Sequence, residues 1–216
     1  ENNIKTINAF FNDTNIQNLK KFHNKTDVIC AANVIAHIPD LKNLIHTVEK
    51  LLSLKGVFIF EEPYLGSMFS KTSYDQIYDE HVFLFSALSI SYLANLHGLE
   101  LIDVEPQITH GGSMRYTVAH KGVKTVSINV TNLIKNEKKL GLHNKHSYLG
   151  FADSVNIIRD DLMELLTKLQ NEGKKVVAYG ATSKSTTVTN YFGITPELVE
   201  CIFDTTPIKQ NKLSPG

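Results

Sequence analysis

The sequence is poor in cysteine and has no long apolar run. Its two cysteines, Cys30 and Cys201, each lie within a short apolar segment, so we expect free thiols buried in strands and no disulfide framework. No apolar stretch approaches the roughly 18 residues that span a membrane, and no leader of charged and then apolar residues is present. We therefore expect a cytoplasmic protein that does not bind membranes.

Net charge of either sign is also absent. The chain has 22 Lys and Arg residues against 22 Asp and Glu residues. A balanced charge gives no long-range field that attracts nucleic acid or anionic lipid, so any anionic ligand must be held by local contacts. With 216 residues, of which 42% are hydrophobic, the chain can form one large core or two modest ones, and we expect a monomer.

Two further motifs are missing from the sequence. There is no Gly-x-Gly-x-x-Gly fingerprint for a dinucleotide and no Tyr-x-x-x-Lys pair. An oxidoreductase or epimerase that acts on nucleotide sugars would need both of these features. The sequence therefore argues against those two classes of enzyme.

The first part of the chain alternates strand and helix patterns. The β-branched run KTDVICAAN precedes a helical pattern, and VFIFEEP follows it, which predicts a βαβ unit in a parallel sheet. Two later runs, LELIDVEP and GGSMRYTVAHKG, read as neighbouring strands after a helix that ends near Gly98. We predict a first α/β domain over residues 1–122. The apolar positions of its first helix are Leu41, Leu44, Ile45, Val48, Leu51 and Leu52.

The second part begins with a lysine-rich segment, residues 123–146, that we interpret as a connector with some helix. A long helix follows and ends at Gly173, after which KKVVAYGATSKSTTVTNYFG predicts a strand, a glycine turn and a helix, and ELVECIFD a further strand. We predict a second α/β domain over residues 123–216. The apolar stripe of the long helix consists of Phe151, Val155, Ile158, Leu162, Leu165, Leu166 and Leu169.

The segment YDQIYDEHVFLF sets a histidine between carboxylates and a strongly apolar run. Apolar surroundings tune the pKa of an imidazole, and a neighbouring carboxylate can orient the ring, so His81 is a candidate general base with Glu80 beside it. The alternative that the two residues only cap or pair locally on a loop stays open. Metal binding is disfavoured, because consecutive side chains point in different directions.

Three other segments carry candidate ligand contacts. In AYGATSKST, a glycine turn opens a helix whose N–H groups could hold phosphate, although Thr and Ser there also suit a helix cap. In HGGSMRY, Arg115 could clamp a phosphate or simply be a surface arginine beside a β-bulge. Asn33 and His37 follow the first strand, and Tyr64 follows the second, at the edge where α/β sheets bind ligands.

Four segments together resemble the nucleotide-sugar C-methyltransferases, and the resemblance spans nearly the whole chain. They are EEPYLGSMFSKTSYDQIYDEHVFLFS, THGGSMRYTVA, AYGATSKSTTVTNYFGI and DTTPIKQNKLSPG. The likeness is strongest to enzymes that methylate carbon 3 of a dTDP-3-amino-4-keto-hexose. It implies a partial Rossmann-like methyltransferase sheet followed by a second, truncated Rossmann-like domain. The chain is then a fragment, truncated at both ends and inactive alone, and the family's zinc site belongs to an amino-terminal domain that this chain lacks.

The resemblance also implies roles for individual residues. The cofactor is S-adenosylmethionine, the substrate is a nucleotide-linked 4-keto sugar, and the base is His81. A sugar-nucleotide-binding module without activity, or an O- or N-methyltransferase, are the alternatives. The implied neighbours are Glu80, Tyr78 and His37 in catalysis; Ala31, Ala32, Asn33, Phe10 and Phe11 at the cofactor; and Tyr64, Arg115, Tyr179, Lys184 and Ser185 at the substrate.

Overall fold

The computed structural model describes residues 5–215, except for the side chains of Ile16 and Asn18. The predicted domains also include residues 1–4 and 216, which lie outside the described residues. The chain divides into two compact units, the first comprising residues 5–67 and 82–143, and the second residues 68–81 and 144–215. Both units combine helices with parallel strands, so the predicted α/β class is confirmed.

The first unit is built on a four-stranded sheet of order β1-β2-β4-β3. The predicted parallel pairing of β1 with β2 is confirmed, and β4 runs antiparallel to both of its neighbours, β2 and β3. The carboxyl ends of β1 and β2 therefore lie at the same edge of the sheet. The strands are β1 (Thr26–Ala32), β2 (Leu52–Pro63), β3 (Leu99–Gln107) and β4 (Ser113–His120).

The helices of the first unit cover one face of this sheet. They bury an aromatic stack in which the Phe60 ring lies 4.9 Å from that of Phe58 and 5.1 Å from that of Tyr116. α1 follows the predicted stripe from Leu41 to Leu51, but Leu52, which was predicted in the same helix, is the first residue of β2. Asp40 caps the helix, since its carboxylate accepts from the Asn43 N–H. The helices are α1 (Leu41–Leu51), α2 (Leu65–Lys71, which continues into the second unit), α3 (Ala87–Asn95) and α4 (Ile128–Lys139), with 3₁₀ turns at Asp13–Phe22, Ile35–His37 and Thr109–Gly111.

The segment predicted as a connector, residues 123–146, differs from that description. Most of it belongs to the first unit, where α4 packs against β3 and α3 and buries Val130. Glu137 on α4 is fully buried. Its carboxylate accepts from the backbone N–H groups of Ala87 and Leu88 at the start of α3, and these hydrogen bonds offset the cost of burying it. The lysine-rich composition of this segment reflects the solvent-facing side of α4. It gives no indication that Glu137, the one acidic residue of the helix, points inward.

The second unit holds the predicted long helix, α5, and a small parallel pair of strands. Those strands have only two residues each, which is shorter than their apolar runs suggest. Aromatic contacts tie residues 68–81 into this unit, since the Phe69 ring lies 4.8 Å from that of Phe151 and the Tyr74 ring 5.0 Å from that of Phe192. The elements are α5 (Lys145–Asn171), β5 (Ala178–Tyr179), α6 (Ser183–Phe192) and β6 (Ile202–Phe203), with 3₁₀ turns at Tyr74–Gln76 and Pro207–Lys209.

The two cysteines are free, as expected, but both are exposed and not buried. Cys30 lies on β1, an edge strand of the sheet, and Cys201 immediately precedes the short strand β6. An apolar run predicts a strand well but does not say whether both of its faces are covered. Among the described helices, including the 27-residue α5, none is long and apolar enough to cross a membrane.

Candidate functional site

The carboxyl ends of β1 and β2 carry the residues predicted to face a cofactor. Ala32 and Asn33 are exposed there, and Ala31 is partly buried. Asn33 has a left-handed backbone with φ of 51°, and its N–H donates to the Glu61 carbonyl at 2.9 Å, which continues the ladder between the strands. The left-handed turn directs the chain into the 3₁₀ turn that ends at His37.

Glu62 lies under this turn and is fully buried, although the sequence singled out no role for it. Its Oε1 accepts from the N–H of Val34 at 2.9 Å and from the N–H of Ile35 at 2.6 Å. Its Oε2 is buried and has no hydrogen-bond partner among the described residues. Burial raises the pKa of Glu62 above its ordinary value of 4.5, and the backbone donors and the nearby His37 offset part of that rise.

The raised pKa of Glu62 predicts how stability depends on pH. The folded state keeps this proton to a higher pH than the unfolded chain does, so the group stabilises the fold fully below about pH 4.5 and less as pH rises through the raised pKa. Relative to Glu62→Gln, we expect the free energy of unfolding of the wild type to fall as pH increases above 4.5. Urea unfolding of both proteins from pH 4.5 to 8 measures this, and a constant difference would contradict it.

Arg115 has a different role from the predicted phosphate clamp. It lies on β4 opposite Glu61 of β2 and Glu105 of β3. Its guanidinium contacts their carboxylates at 3.2 Å and 3.5 Å. Two carboxylates around one guanidinium leave a net negative charge, which does not attract phosphate. The structure therefore favours the alternative of a surface arginine, which here forms cross-strand ion pairs with Glu61 and Glu105.

Tyr64 is also engaged within the fold. Its hydroxyl donates to Glu137 at 3.0 Å, and its backbone N–H donates to the carbonyl of Gly112. Burial, followed by the neighbouring Glu137 carboxylate, raises the pKa of Tyr64 well above its usual range. A hydroxyl that is already bonded to a buried carboxylate has a partner within the fold, which favours a structural role for Tyr64 in the first unit.

The aromatic pair predicted near the adenine lies in the first unit, before the 3₁₀ turn at Asp13–Phe22. The Phe10 side chain is 85% exposed and that of Phe11 37% exposed. The carbonyl of Phe10 accepts from the side-chain amide of Asn15, which fixes the backbone at this point. The Phe10 ring is therefore presented on the surface and is available for stacking.

In the second unit, the His81 ring is held by two oxygens. Its Nδ1 lies 2.9 Å from the carbonyl of Gln76, and its Nε2 lies 2.9 Å from the hydroxyl of Tyr78. Because a carbonyl can only accept, Nδ1 must carry a hydrogen. In the neutral ring, Nε2 then holds the lone pair and accepts from Tyr78. The structure thus defines which nitrogen is the basic one.

Glu80, which the sequence predicted would orient this ring, is exposed. Both ring nitrogens are already within hydrogen-bond distance of Gln76 and Tyr78, so these two residues set its orientation instead. Sequence reasoning missed Gln76 because it acts through its backbone, which any residue provides. The only available signal was the spacing of five residues from Gln76 to His81 across a turn.

Three of the residues predicted at the substrate lie around the turn into α6, with Tyr179 on β5 and Lys184 and Ser185 at the start of α6. Ser185 and Thr182 form a capping box, in which each side chain accepts from the backbone N–H of the other at 2.9 Å and 3.1 Å. Lys184 lies 3.8 Å from the carboxylate of Asp75, and Tyr179 is 77% exposed. The Ser185 hydroxyl therefore serves the helix cap, while Lys184 and Tyr179 remain candidates for ligand contacts.

The turn between β5 and α6 is organised by Asp204 at the end of β6, a residue that sequence reasoning did not single out. Its carboxylate accepts from the N–H groups of Thr206 at 2.7 Å and Ala181 at 2.8 Å. These donors, the Thr206 backbone first, lower the pKa of Asp204 to about 2. Lys209 completes the arrangement by donating to the Ala181 carbonyl at 2.7 Å.

Comparison with known proteins agrees with this architecture. Residues 1–104 match the family model of a methyltransferase domain, which defines the class of the first part of the chain. Residues 108–216 match the model of the C-methyltransferase C-terminal domain. The chain belongs to this C-methyltransferase family, as its sequence motifs predicted.

One curated relative and two solved structures illustrate the similarity. The C-methyltransferase NovU from Streptomyces niveus is 30% identical over 99% of this chain, and the chain spans about half, 51%, of that protein. The PH0226 protein from Pyrococcus horikoshii OT3 is 17% identical, with a TM-score of 0.36 over 46% of this chain and 54% of its own. The magnesium protoporphyrin IX methyltransferase from Synechocystis PCC 6803 is 14% identical, with a TM-score of 0.34 over 44% of this chain and 45% of its own.

Proposed function

We propose that the protein containing this chain transfers a methyl group from S-adenosylmethionine to a carbon atom next to the ketone of a nucleotide-linked 4-keto sugar. Membership of the C-methyltransferase family supports carbon as the acceptor. One observation carries the chemical proposal: the Gln76 carbonyl holds a hydrogen on Nδ1 of His81, which leaves Nε2 as a base. Carbon next to a ketone becomes a nucleophile only when such a base removes its proton.

In the proposed reaction, the Tyr78 hydroxyl first turns its hydrogen from Nε2 of His81 to the ketone oxygen, which frees the Nε2 lone pair. Nε2 then accepts the proton from the carbon, and the electron pair moves onto the ketone oxygen as an enolate. Protonated Nε2 then donates to Tyr78, which reverses their hydrogen bond. The Tyr78 O–H continues to donate to the enolate oxygen, where negative charge develops. The imidazolium formed is stabilised by its bond to the Gln76 carbonyl, so both roles follow from one local arrangement.

The residues at the carboxyl end of β1 fit a cofactor of this size and chemistry. Ala31 and Ala32 are small and leave room at the strand end, while the Asn33 side chain is exposed and can hydrogen-bond. The exposed ring of Phe10 offers a surface for stacking on adenine. We assign Asn33 and the two alanines to the cofactor and His37 to the substrate. S-adenosylmethionine, when bound, supplies an electrophilic methyl group.

The substrate's phosphates are assigned to the start of α6. Lys184 supplies a cation there, and the first N–H groups of the helix supply further donors. Asp75 keeps Lys184 in place, 3.8 Å away, in the absence of ligand. Tyr179, exposed at the end of β5, is assigned to the nucleotide. These assignments favour a substrate that carries a nucleoside diphosphate. We propose that this nucleoside diphosphate is dTDP.

Lys184→Ala is expected to raise the dissociation constant for a dTDP-4-keto sugar by about tenfold, because a charge-assisted contact to phosphate is lost. Isothermal calorimetry on the full-length protein measures the constant. Lys175→Ala is the matched control, since Lys175 lies in the same unit and also has an acidic partner, Glu200 at 3.5 Å. Equal constants for wild type and Lys184→Ala would remove this lysine from the phosphate site.

Product analysis tests the reaction itself. The full-length protein is incubated with a dTDP-4-keto sugar and cofactor labelled with ¹³C in the methyl group, and the product is examined by mass spectrometry and NMR. We expect the label in a new C–C bond beside the ketone. Label on oxygen or nitrogen would replace the proposal with O- or N-methylation, and binding without any transfer would replace it with a binding module.

A further inference from the structure

The structure describes two fully buried carboxylates, Glu62 and Glu137, and they are satisfied differently. Both oxygens of Glu137 accept hydrogen bonds, and they secure the start of α3. Glu62 instead gives one oxygen to two successive backbone N–H groups, those of Val34 and Ile35, and its other oxygen has no partner among residues 5–215. The proposed reaction uses neither carboxylate, so the placement of Glu62 needs its own explanation.

The segment that Glu62 holds lies between two residues of the proposed reaction. Asn33 precedes Val34 and has a left-handed φ of 51°, a conformation that asparagine adopts more readily than other non-glycine residues, and it turns the chain just before the segment that Glu62 holds. His37 ends the 3₁₀ turn that begins at Ile35. The two N–H groups bound by Glu62 are the first ones after Asn33, so Glu62 holds the backbone directly after the left-handed residue.

We propose that Glu62 is a positioning residue for methyl transfer: its Oε1 fixes the peptide groups of Val34 and Ile35 and thereby sets the places of Asn33 at the cofactor and His37 at the substrate. This inference rests on the proposed function. The carboxylate acts as a hydrogen-bond acceptor of defined reach, and it does not touch the reacting atoms. A substitution at position 62 therefore preserves the positioning role if it keeps the acceptor oxygen in place, whether or not it keeps the charge.

Two substitutions separate geometry from charge. Glu62→Gln keeps the reach and an acceptor oxygen for Val34 and Ile35 but removes the charge, whereas Glu62→Asp keeps the charge but withdraws the oxygen by one methylene. Glu137→Asp is the matched control, because it shortens the other fully buried carboxylate in the same unit. All three variants are made in the full-length protein, and urea unfolding confirms that each is folded before binding is measured.

The first readout is the dissociation constant for S-adenosylhomocysteine by calorimetry. We expect Glu62→Asp to raise it by about tenfold, the effect of losing a buried hydrogen bond, and Glu62→Gln to stay within about threefold of wild type. Glu137→Asp should also stay within about threefold while losing stability. The inference is overturned by an unchanged constant in Glu62→Asp, by an equal loss in Glu62→Gln, or by an equal loss in Glu137→Asp.

The second readout needs no ligand and separates this inference from the proposed function. Amide hydrogen exchange over residues 34–37 should accelerate in Glu62→Asp and remain near wild type in Glu62→Gln. Unchanged exchange in Glu62→Asp refutes the positioning role whatever the protein catalyses. If the wild type binds S-adenosylhomocysteine but forms no methylated sugar, the proposed function fails, while both readouts still decide the role of Glu62.

Discussion

Replacing His81 with alanine should lower the rate of methyl transfer by about 10²–10⁴-fold, the usual contribution of a general base. The basic nitrogen, Nε2, is lost, and with it the hydrogen bond that switches direction with Tyr78. We expect the affinity for the sugar nucleotide to change little, because the proposed phosphate contacts lie at α6. Single-turnover kinetics with saturating cofactor separates the chemical step from binding.

His146→Ala serves as the control for this experiment, since His146 is an exposed histidine near the start of α5 in the same unit. It should turn over at the wild-type rate. If His81→Ala also kept the wild-type rate, the histidine would have no part in the chemistry. A loss of sugar-nucleotide affinity without a loss of rate would instead make it a binding residue.

Replacing Glu137 with alanine should destabilise the protein by about 3 kcal/mol, the largest effect on stability that we predict from one side chain. The carboxylate accepts from the N–H groups of Ala87 and Leu88 and from the Tyr64 hydroxyl, at distances of 2.7–3.0 Å. Its removal leaves these donors without an acceptor in a buried place, and it also removes a negative charge from the positive end of α3.

Urea unfolding monitored by circular dichroism measures the loss. Lys135→Ala, on the exposed side of the same helix, should change the free energy of unfolding by less than about 0.5 kcal/mol. A similar small change in Glu137→Ala would mean that water or rearranged side chains replace the carboxylate.

Local sequence patterns were sufficient for most elements of the fold. The apolar stripe from Leu41 to Leu51 and the β-branched runs on both sides of it predicted α1 between parallel strands, because periodicity is a property of neighbouring residues. Side chains alternate between the two faces of β2, so Phe58, Phe60 and Glu62 share one face. The two phenylalanines on that face are core residues. Alternation along this strand therefore indicates a buried position for Glu62.

Contacts between distant residues were beyond local patterns. Glu137 lies 50 residues from the Ala87 N–H that it accepts, and nothing in the lysine-rich segment around it indicates a buried position. The division of the chain into units also depends on contacts between distant residues. Residues 68–81 belong to the second unit because their aromatic rings contact α5 and α6. Such contacts depend on the tertiary fold and not on spacing along the chain.

Residue type alone also did not predict the internal partners of two candidate ligand residues. Arg115 has the chemistry of a phosphate ligand, yet its cross-strand neighbours are both carboxylates. Ser185 has the chemistry of a phosphate donor, yet it completes a capping box. In each case, the alternative read from the same residues, a surface arginine or a helix cap, accounts for the contacts that the side chain makes.

The central claim is that His81 removes a proton from the carbon beside the ketone, and hydrogen exchange on the substrate tests it most directly. The full-length protein, a dTDP-4-keto sugar and S-adenosylhomocysteine are incubated in D₂O, so that enolate formation is observed without methyl transfer. The account predicts that NMR shows deuterium entering beside the ketone with wild-type protein and only at the protein-free rate with His81→Ala. Equal enzymatic exchange in both proteins would contradict it.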